Sequence, residues 1–285
     1  MDTRSRAAPA KINLTLHVTG VRADGFHEIE SLVAQINLCD TVAVAAHEDG
    51  CYGLECDDPR LPCDGSNLVL RAAKALNAAA HTNHGVQIEL KKRVPTGAGL
   101  GGGSSDAAAT LMLLNELWGV GLDRDQLKAI GAELGSDVPL FLHDPLCFIS
   151  GRGERVEGLG APPPLWVALV LPEVHCSTPA VYAAWDRLPR PTPRASAREL
   201  LAVRRAAEEL MPCLFNDLEP ATFAVAPALA DLAARAADAG GQPVRMTGSG
   251  AALFRLFDDA QTAARFALDV GTALGVRVDV VALRT

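Results

Sequence analysis

Between Pro95 and Gly119 the chain reads PTGAGLGGGSSDAAATLMLLNELWG, and no other stretch restricts the fold as much. Seven glycines and serines crowd Gly97–Ser105, and Ala108, Leu111, Met112 and Leu114 follow at helical spacing. The pattern predicts a loop feeding a helix over Asp106–Trp118, with Gly119 as its stop. Glycine accepts positive φ and lets the backbone approach a ligand. A helix N-terminus offers unpaired N–H groups and a partial positive charge. Together they make an anion site suited to phosphates. Ser104 and Ser105 add hydroxyls that can bond a phosphate oxygen or a magnesium ion. The alternative is a flexible linker, but linkers rarely open straight into a strongly apolar helix.

The kind of phosphate loop is narrowed by what is missing. A Walker loop needs G-x-x-x-x-G-K-[ST], and the chain has no Gly-Lys pair. It has neither H-R-D nor D-F-G, which excludes the protein-kinase set. Gly97, Gly99 and Gly102 fit G-x-G-x-x-G, but a dinucleotide fold wants an acidic residue about 20 positions on, at a strand end. Glu116 is near that distance and falls inside the predicted helix.

Around this loop, strands and helices alternate. Lys11–Val18 alternates as a strand, and Leu32–Leu38, Thr41–Ala45 and Val86–Leu90 read as further strands. Asn67 is placed to cap a helix over Leu68–Ala80. Asp123 and Gln126 form a capping-box pair for a helix ending near Gly135, and a Gly135–Pro139 loop follows. Gly158–Pro164 is rich in Gly and Pro and reads as a linker between lobes spanning 1–157 and 165–285. Beyond it come a strand (Leu165–Leu171), a helix (Thr178–Trp185), a break (Pro189–Pro193) and a helix over Ala197–Leu210. A helix (Pro227–Ala239), a strand (Val244–Met246), a tight loop (Thr247–Gly250), a strand (Ala251–Phe257), a helix (Ala260–Leu274) and a strand (Val276–Ala282) complete the chain. This order points to an α+β sandwich.

At 285 residues the chain is long enough for two lobes. Its net charge of −8 argues against a nucleic acid polymer as main partner. No apolar run reaches the roughly 18 residues needed to span a bilayer, and the polar Met1–Ala10 segment does not read as a signal peptide. The seven cysteines are odd in number and contain no C-x-x-C pair, so reduced thiols in a cytoplasm are expected rather than a disulfide frame or zinc site. Oligomeric state is not readable from these features.

The run P-x-G-x-G-L-G-G-G-S-S over Pro95–Ser105 resembles the central motif of the GHMP kinases, the superfamily of galactokinase, homoserine, mevalonate and phosphomevalonate kinases. Pro9-Ala10-Lys11-Ile12-Asn13-Leu14 resembles its N-terminal motif, and Met246-Thr247-Gly248-Ser249-Gly250-Ala251 its C-terminal glycine motif. With Arg22–His27 (RADGFH) and Gly135–Phe141 (GSDVPLF), the likeness extends over nearly the whole chain. It is closest to the branch whose small-molecule acceptor carries a cytidine diphosphate group and serves non-mevalonate isoprenoid synthesis.

The resemblance implies a two-lobed fold: an N-terminal lobe with a left-handed β-α-β unit and a ferredoxin-like C-terminal lobe. The ordinary handedness rule would predict the opposite crossover. It implies an ATP-dependent phosphotransferase with an alcohol acceptor. Pro95, Gly97, Gly99, Leu100, Gly101, Gly102, Gly103, Ser104 and Ser105 would hold ATP phosphates, with Ser105 at the Mg2+ ion. Asn67 and Lys92 would lie at the adenosine end. Asp137 would take the proton of the substrate hydroxyl, and Lys11 would sit beside the reacting groups. Asn13, Phe26, His27, Thr178, Tyr182 and Gly248 would serve the acceptor, with His27 reading the base. Relatives usually carry Tyr at position 26, so this chain keeps the ring and loses a hydroxyl.

Taken singly, these residues have plainer roles. Asp in a Gly-Ser-Asp-Val-Pro turn is commonly a turn residue, Lys in a strand a solvated one, and Tyr182 and Trp185 on a helix belong to a core. His17 and the remaining histidines read as surface residues. Other functions consistent with the loop are a kinase of another alcohol such as homoserine or mevalonate, a silent nucleotide sensor, or a nicotinamide enzyme. ADP release with a cytidine-linked acceptor separates the first two from the expectation, and NAD binding identifies the last.

Overall fold

The computed structural model describes residues 3–47, 50–189, 200 and 206–285. The strands are β1 (Thr3–Asn13), β2 (Thr15–Val21), β3 (His27–His47), β4 (Tyr52–Cys56), β5 (Gly85–Lys91), β6 (Leu146–Gly151) and β7 (Arg155–Gly158). They continue with β8 (Trp166–Leu171), β9 (Phe215–Asn216), β10 (Arg245–Met246), β11 (Leu253–Phe257) and β12 (Arg277–Ala282). The helices are α1 (Leu68–Ala80), α2 (Gly102–Leu117), α3 (Arg124–Leu134), α4 (Thr178–Trp185), α5 (Ala207–Leu210), α6 (Glu219–Val225), α7 (Pro227–Gly240) and α8 (Ala260–Leu274). The Pro189–Pro193 break and most of the Ala197–Leu210 helix expected from the sequence lie outside the described residues; 207–210 of it is α5.

Two compact units share the chain. The first comprises Met1–Ala10, Leu38–Thr96 and Gly101–Asp144; the second comprises Lys11–Asn37, Gly97–Leu100 and Pro145–Thr285. In the first unit the C-terminal half of β3 pairs antiparallel with β5, and β5 pairs parallel with β4. The β4-α1-β5 segment is therefore a β-α-β unit. Helices α1, α2 and α3 pack on one another. Leu70 and Leu76 of α1, Leu111 and Leu114 of α2, and Leu127 of α3 are buried among them. The run Ala107–Ala109 is buried as well; small side chains let helix backbones come close.

The second unit contains a four-stranded antiparallel sheet in the order β10-β11-β8-β12. With α7 before β10 and α8 between β11 and β12, this is the βαββαβ ferredoxin-like order, with α4, α5, β9 and α6 inserted in its first crossover. Residues Val167–Val170 are fully buried because both faces of β8 are covered. Phe266 of α8 fills the place a side chain at Gly240 would take, with a ring carbon 2.1 Å from an ideal Cβ there. The N-terminal half of β3 pairs antiparallel with β2 and with β6, and β6 pairs with β7.

Some elements differ from the sequence reading. The two strands expected at Leu32–Leu38 and Thr41–Ala45 form one strand, β3, because Asp40 between them is fully buried and its carboxylate is paired. The strand expected over Lys11–Val18 is divided between β1 and β2; on its polar face Asn13 and Thr15 are as buried as the apolar residues, and His17 is half-buried. The antiparallel β6–β7 hairpin is absent from the sequence reading.

Candidate active site

The glycine loop differs most usefully from expectation. Helix α2 begins at Gly102, four residues before the expected start, so Gly102–Ser105 form its first turn. Glycine and serine are weak helix formers. Here the turn is imposed by Gly101, left-handed at φ 72°, and by the Ser105 N–H donating to the Gly101 carbonyl at 3.0 Å. Gly97 and Gly99 are also left-handed, at φ 75° and 76°. The first N–H groups of α2 thus open directly from the loop, as an anion site requires.

Within the second unit, three segments remote in sequence meet. The Lys11 N–H donates to the Leu100 carbonyl at 2.9 Å, and the Ala252 N–H to the Ala98 carbonyl at 3.2 Å. An ideal Cβ at Gly99 would lie 2.7 Å from the Thr247 carbonyl oxygen and 3.1 Å from that of Gly250. One at Gly248 would lie 3.1 Å from the Gly99 carbonyl oxygen and 3.4 Å from Lys11 Nζ. Glycine at 99 and 248 is therefore required by close backbone approach as well as by φ. Lys11 is buried, and its ammonium donates to Asn13 Oδ1 at 2.6 Å. Asn13 Nδ2 donates to Ser31 Oγ at 2.8 Å, and the Asn13 N–H to Thr247 Oγ1 at 2.8 Å. Asn216, which the sequence reading missed, donates to the Met246 and Gly248 carbonyls at 3.1 and 2.8 Å and so pins the Thr247–Gly250 turn. Glu219 accepts from the Met246 N–H at 3.0 Å; burial pushes its carboxyl up.

Apart from Asp137, which belongs to the first unit, the acceptor-site residues proposed from sequence also lie in the second unit. The His27 ring packs at 4.5 Å on Tyr182 and meets Trp185 edge-on at 5.5 Å, and His27 Nε2 is 2.9 Å from Asp186 Oδ1. Trp185 is buried, as its helical position implied. Phe26 is 53% exposed, with the Arg152 guanidinium 5.0 Å from its ring centre. Thr178, at the start of α4, shares a 2.8 Å hydrogen bond with Ser249. His17 is not the surface residue expected: its Nδ1 pairs with the buried carboxylate of Asp217.

In the first unit, Lys92 is enclosed by acids. Its ammonium donates to Asp40 and, at 2.6 Å, to Asp106 Oδ2. Burial pulls the Lys92 ammonium down, but the two carboxylates outweigh it and hold its pKa above the usual value. Burial, reinforced by Asp40, pushes Asp106 up to about 7 against the attraction of Lys92. Ser105 Oγ and Asp106 Oδ1 are buried with no hydrogen-bond partner among the described residues. Asn67 caps α1 by accepting from the Val69 N–H at 3.1 Å, as expected, and also donates to the Pro62 carbonyl at 2.8 Å. Asp137 is half-buried in the turn between α3 and the 3-10 turn Pro139–Leu142. Neither Asp40 nor Asp106 was singled out from sequence; the one available signal was Asp106 following the two serines directly.

The raised Asp106 carboxyl sets a pH dependence. A folded-state value near 7, above about 3.8 in the unfolded chain, means that the folded protein holds this proton more tightly. The resulting stability is complete below about pH 4 and is lost as pH rises through about 7. In metal-free, nucleotide-free protein, the unfolding free energy of the wild type relative to Asp106→Asn is expected to fall between these pH values. Denaturant melts giving parallel pH curves for the two proteins would contradict it.

Comparison with known proteins shows the family. Residues 67–144 match the family described as the GHMP kinases N terminal domain, and residues 197–275 the GHMP kinases C terminal. A 4-diphosphocytidyl-2-C-methyl-D-erythritol kinase of Chlorobium phaeobacteroides is 42% identical over 93% of this chain and 94% of its own length. One from Brevibacillus brevis is 40% identical over 87% of this chain and 86% of its own. The chain belongs to the 4-diphosphocytidyl-2-C-methyl-D-erythritol kinase family of GHMP kinases. A crystal structure of a 4-(cytidine 5'-diphospho)-2C-methyl-D-erythritol kinase superposes with a TM-score of 0.81 at 35% identity, covering 99% of this chain and all of that one. A homoserine kinase from Cytophaga hutchinsonii, 21% identical with a TM-score of 0.75 over 100% of this chain and 95% of its own, shares the fold. The expected α+β GHMP kinase fold and phosphotransferase class thus hold, and GHMP kinases use ATP. Among the described residues no helix is long and apolar enough to cross a membrane, and no disulfide joins any of the seven cysteines.

Proposed function

We propose that the chain transfers the γ-phosphoryl group of ATP to the 2-hydroxyl of 4-diphosphocytidyl-2-C-methyl-D-erythritol, giving the 2-phosphate and ADP. The observation that carries this reading is the meeting of Lys11, Gly97–Leu100 and Thr247–Gly250 in the second unit, in a chain about 40% identical to kinases named for that substrate. Phosphoryl transfer asks little covalent help of a protein; it needs alignment, charge neutralisation and exclusion of water. Asp137 takes the hydroxyl proton as the substrate oxygen bonds to the γ-phosphorus and the bond to the β-phosphate oxygen breaks. Lys11 stabilises charge on the transferred group, an effect commonly worth about 3 kcal/mol. The loop amides and the first turn of α2 bind the phosphates, with Asn67 and Lys92 toward the adenosine.

Magnesium fits the chemistry of Ser105 Oγ and Asp106 Oδ1, since both are buried oxygens without partners among the described residues and hard cations take oxygen ligands. Bound there, the ion would neutralise phosphate charge. Phe26, His27, Tyr182, Thr178, Asn13 and Gly248 receive the cytidine-linked acceptor. The exposed Phe26 ring offers a stacking face, and the packing of His27 on Tyr182 fixes the imidazole. The work is that of a soluble cytoplasmic enzyme acting on small molecules.

A coupled ADP assay tests the reading. Turnover is expected with the cytidine-linked alcohol and not with homoserine, mevalonate or the same alcohol lacking the nucleotide. His27→Ala is expected to raise KM for the cytidine substrate at least about tenfold while KM for ATP stays within about twofold. A preference for an acceptor without cytidine would end the proposal.

A further inference from the structure

We propose that Asp40, Lys92 and Asp106 form a buried clamp that sets both flanks of the glycine loop for ATP, with Asp40 as the positioning residue and Asp106 tying the clamp to the helix through Oδ2 while Oδ1 faces the ion site. The inference rests on the reading that this loop holds the phosphates.

The three side chains come from separate places: the middle of β3, the exit of β5 and one turn into α2. Asp40 lies 52 positions from Lys92 in sequence, and Lys92 lies 14 from Asp106. Asp40 uses both carboxylate oxygens. Oδ1 accepts from the N–H groups of Arg93 and Val94 at 2.5 and 2.8 Å, and Oδ2 takes the Lys92 ammonium. It therefore fixes the backbone immediately before Pro95, where the loop begins. Lys92 carries the tie across to Asp106, immediately after Ser105, where the loop has become helix.

The flanks also touch directly. An ideal Cβ at Gly102 would lie 3.0 Å from Val94 Cγ1 and 3.4 Å from Asp40 Oδ2. The exit of β5 and the first residue of α2 thus close on each other over the Asp40 carboxylate. The Lys92 N–H donates to Asp57 Oδ1 at 2.7 Å, which fixes the lysine backbone as well.

A role in folding alone is a poor account of this cluster. Burying three charges is expensive, and apolar side chains of similar volume often serve stability equally well or better. Ionic groups do fix position and register, because a charged partner moved by an ångström is left unsatisfied. The clamp also leaves Asp106 Oδ1 and the neighbouring Ser105 Oγ buried and unpartnered among the described residues. A purely structural triad would gain by satisfying those atoms, whereas a ligand site holds them ready.

The test compares Asp40→Asn, Asp106→Asn and Gly99→Ala with wild type, at saturating magnesium and saturating alcohol substrate. Asparagine keeps the size of aspartate and, at 40, the acceptor for the two backbone N–H groups, while the ionic tie to Lys92 is lost. Both triad variants are expected to raise KM for ATP and Kd for ADP, read by direct titration, at least about tenfold. KM for the alcohol should stay within about twofold. A structural role instead lowers the melting temperature and the folded fraction while the folded molecules keep wild-type KM for ATP, and that result overturns the proposal. If only Gly99→Ala weakens ATP, the clamp fails and the phosphate-loop reading stands. If none of the three weakens ATP, the loop reading fails and the clamp with it. Asp40→Asn decides, because Asp106→Asn also alters the oxygen offered to magnesium; should Asp40→Asn not fold, the triad is a folding element and the proposal is overturned.

Discussion

Replacing Asp137 with asparagine is expected to cut turnover at least about 10²-fold while leaving ATP binding nearly unchanged. Asparagine matches aspartate in shape but cannot accept the hydroxyl proton at neutral pH. The turn that carries Asp137 is independently anchored, so the effect should be chemical rather than a loss of fold. The Gly135 N–H donates to the Gly131 carbonyl at 3.1 Å, and the Val138 N–H to the Gly135 carbonyl at 3.1 Å. Val138 is fully buried, and its Cγ1 lies 3.0 Å from an ideal Cβ at Gly131. Single-turnover measurement of ADP, with ATP affinity titrated separately, separates chemistry from binding. Turnover within about threefold of wild type would remove Asp137 from the mechanism.

Gly99→Ala is expected to raise KM for ATP at least about tenfold and to lower the melting temperature by several degrees. Two penalties combine. A non-glycine residue held at φ 76° costs about 1–2 kcal/mol. The added methyl would also stand 2.7 Å from the Thr247 carbonyl oxygen, so loop and turn must separate. Gly121 supplies the control, since its φ is also 76° but nothing lies within 4 Å of an ideal Cβ there. Gly121→Ala should show the conformational cost alone, with KM for ATP as in wild type. Equal effects of the two substitutions on KM for ATP would mean that the contact between the Gly97–Leu100 loop and the Thr247–Gly250 turn has no part in nucleotide binding.

Much of the architecture could be read from local signals. The Asn67 cap, the Asp123–Gln126 capping box and the bounds of α4 and α8 match the sequence reading, because each depends on residues within one turn of helix. The misses depend on distant partners. Asp40 looks like a strand breaker until Lys92 pairs with it. Gly102–Ser105 look like loop until Gly101 and the buried Asp106 hold them in a helical turn. His17 looks like a surface residue until Asp217, 200 positions away, accepts its ring nitrogen.

The sequence by itself determined the class of chemistry. Glycines followed at once by an apolar helix specify an anion site through local backbone physics, and three motifs in fixed order specify the family. Only the tertiary structure decided which side chains support those motifs. It built each of two compact units from non-contiguous segments. It brought Asp40, Lys92 and Asp106 into one buried cluster, and it seated Gly99 against the Thr247–Gly250 turn. The physical reason is that a buried charge or a close backbone contact is settled by its partner, and periodicity along a chain carries no information about which distant residue that partner will be.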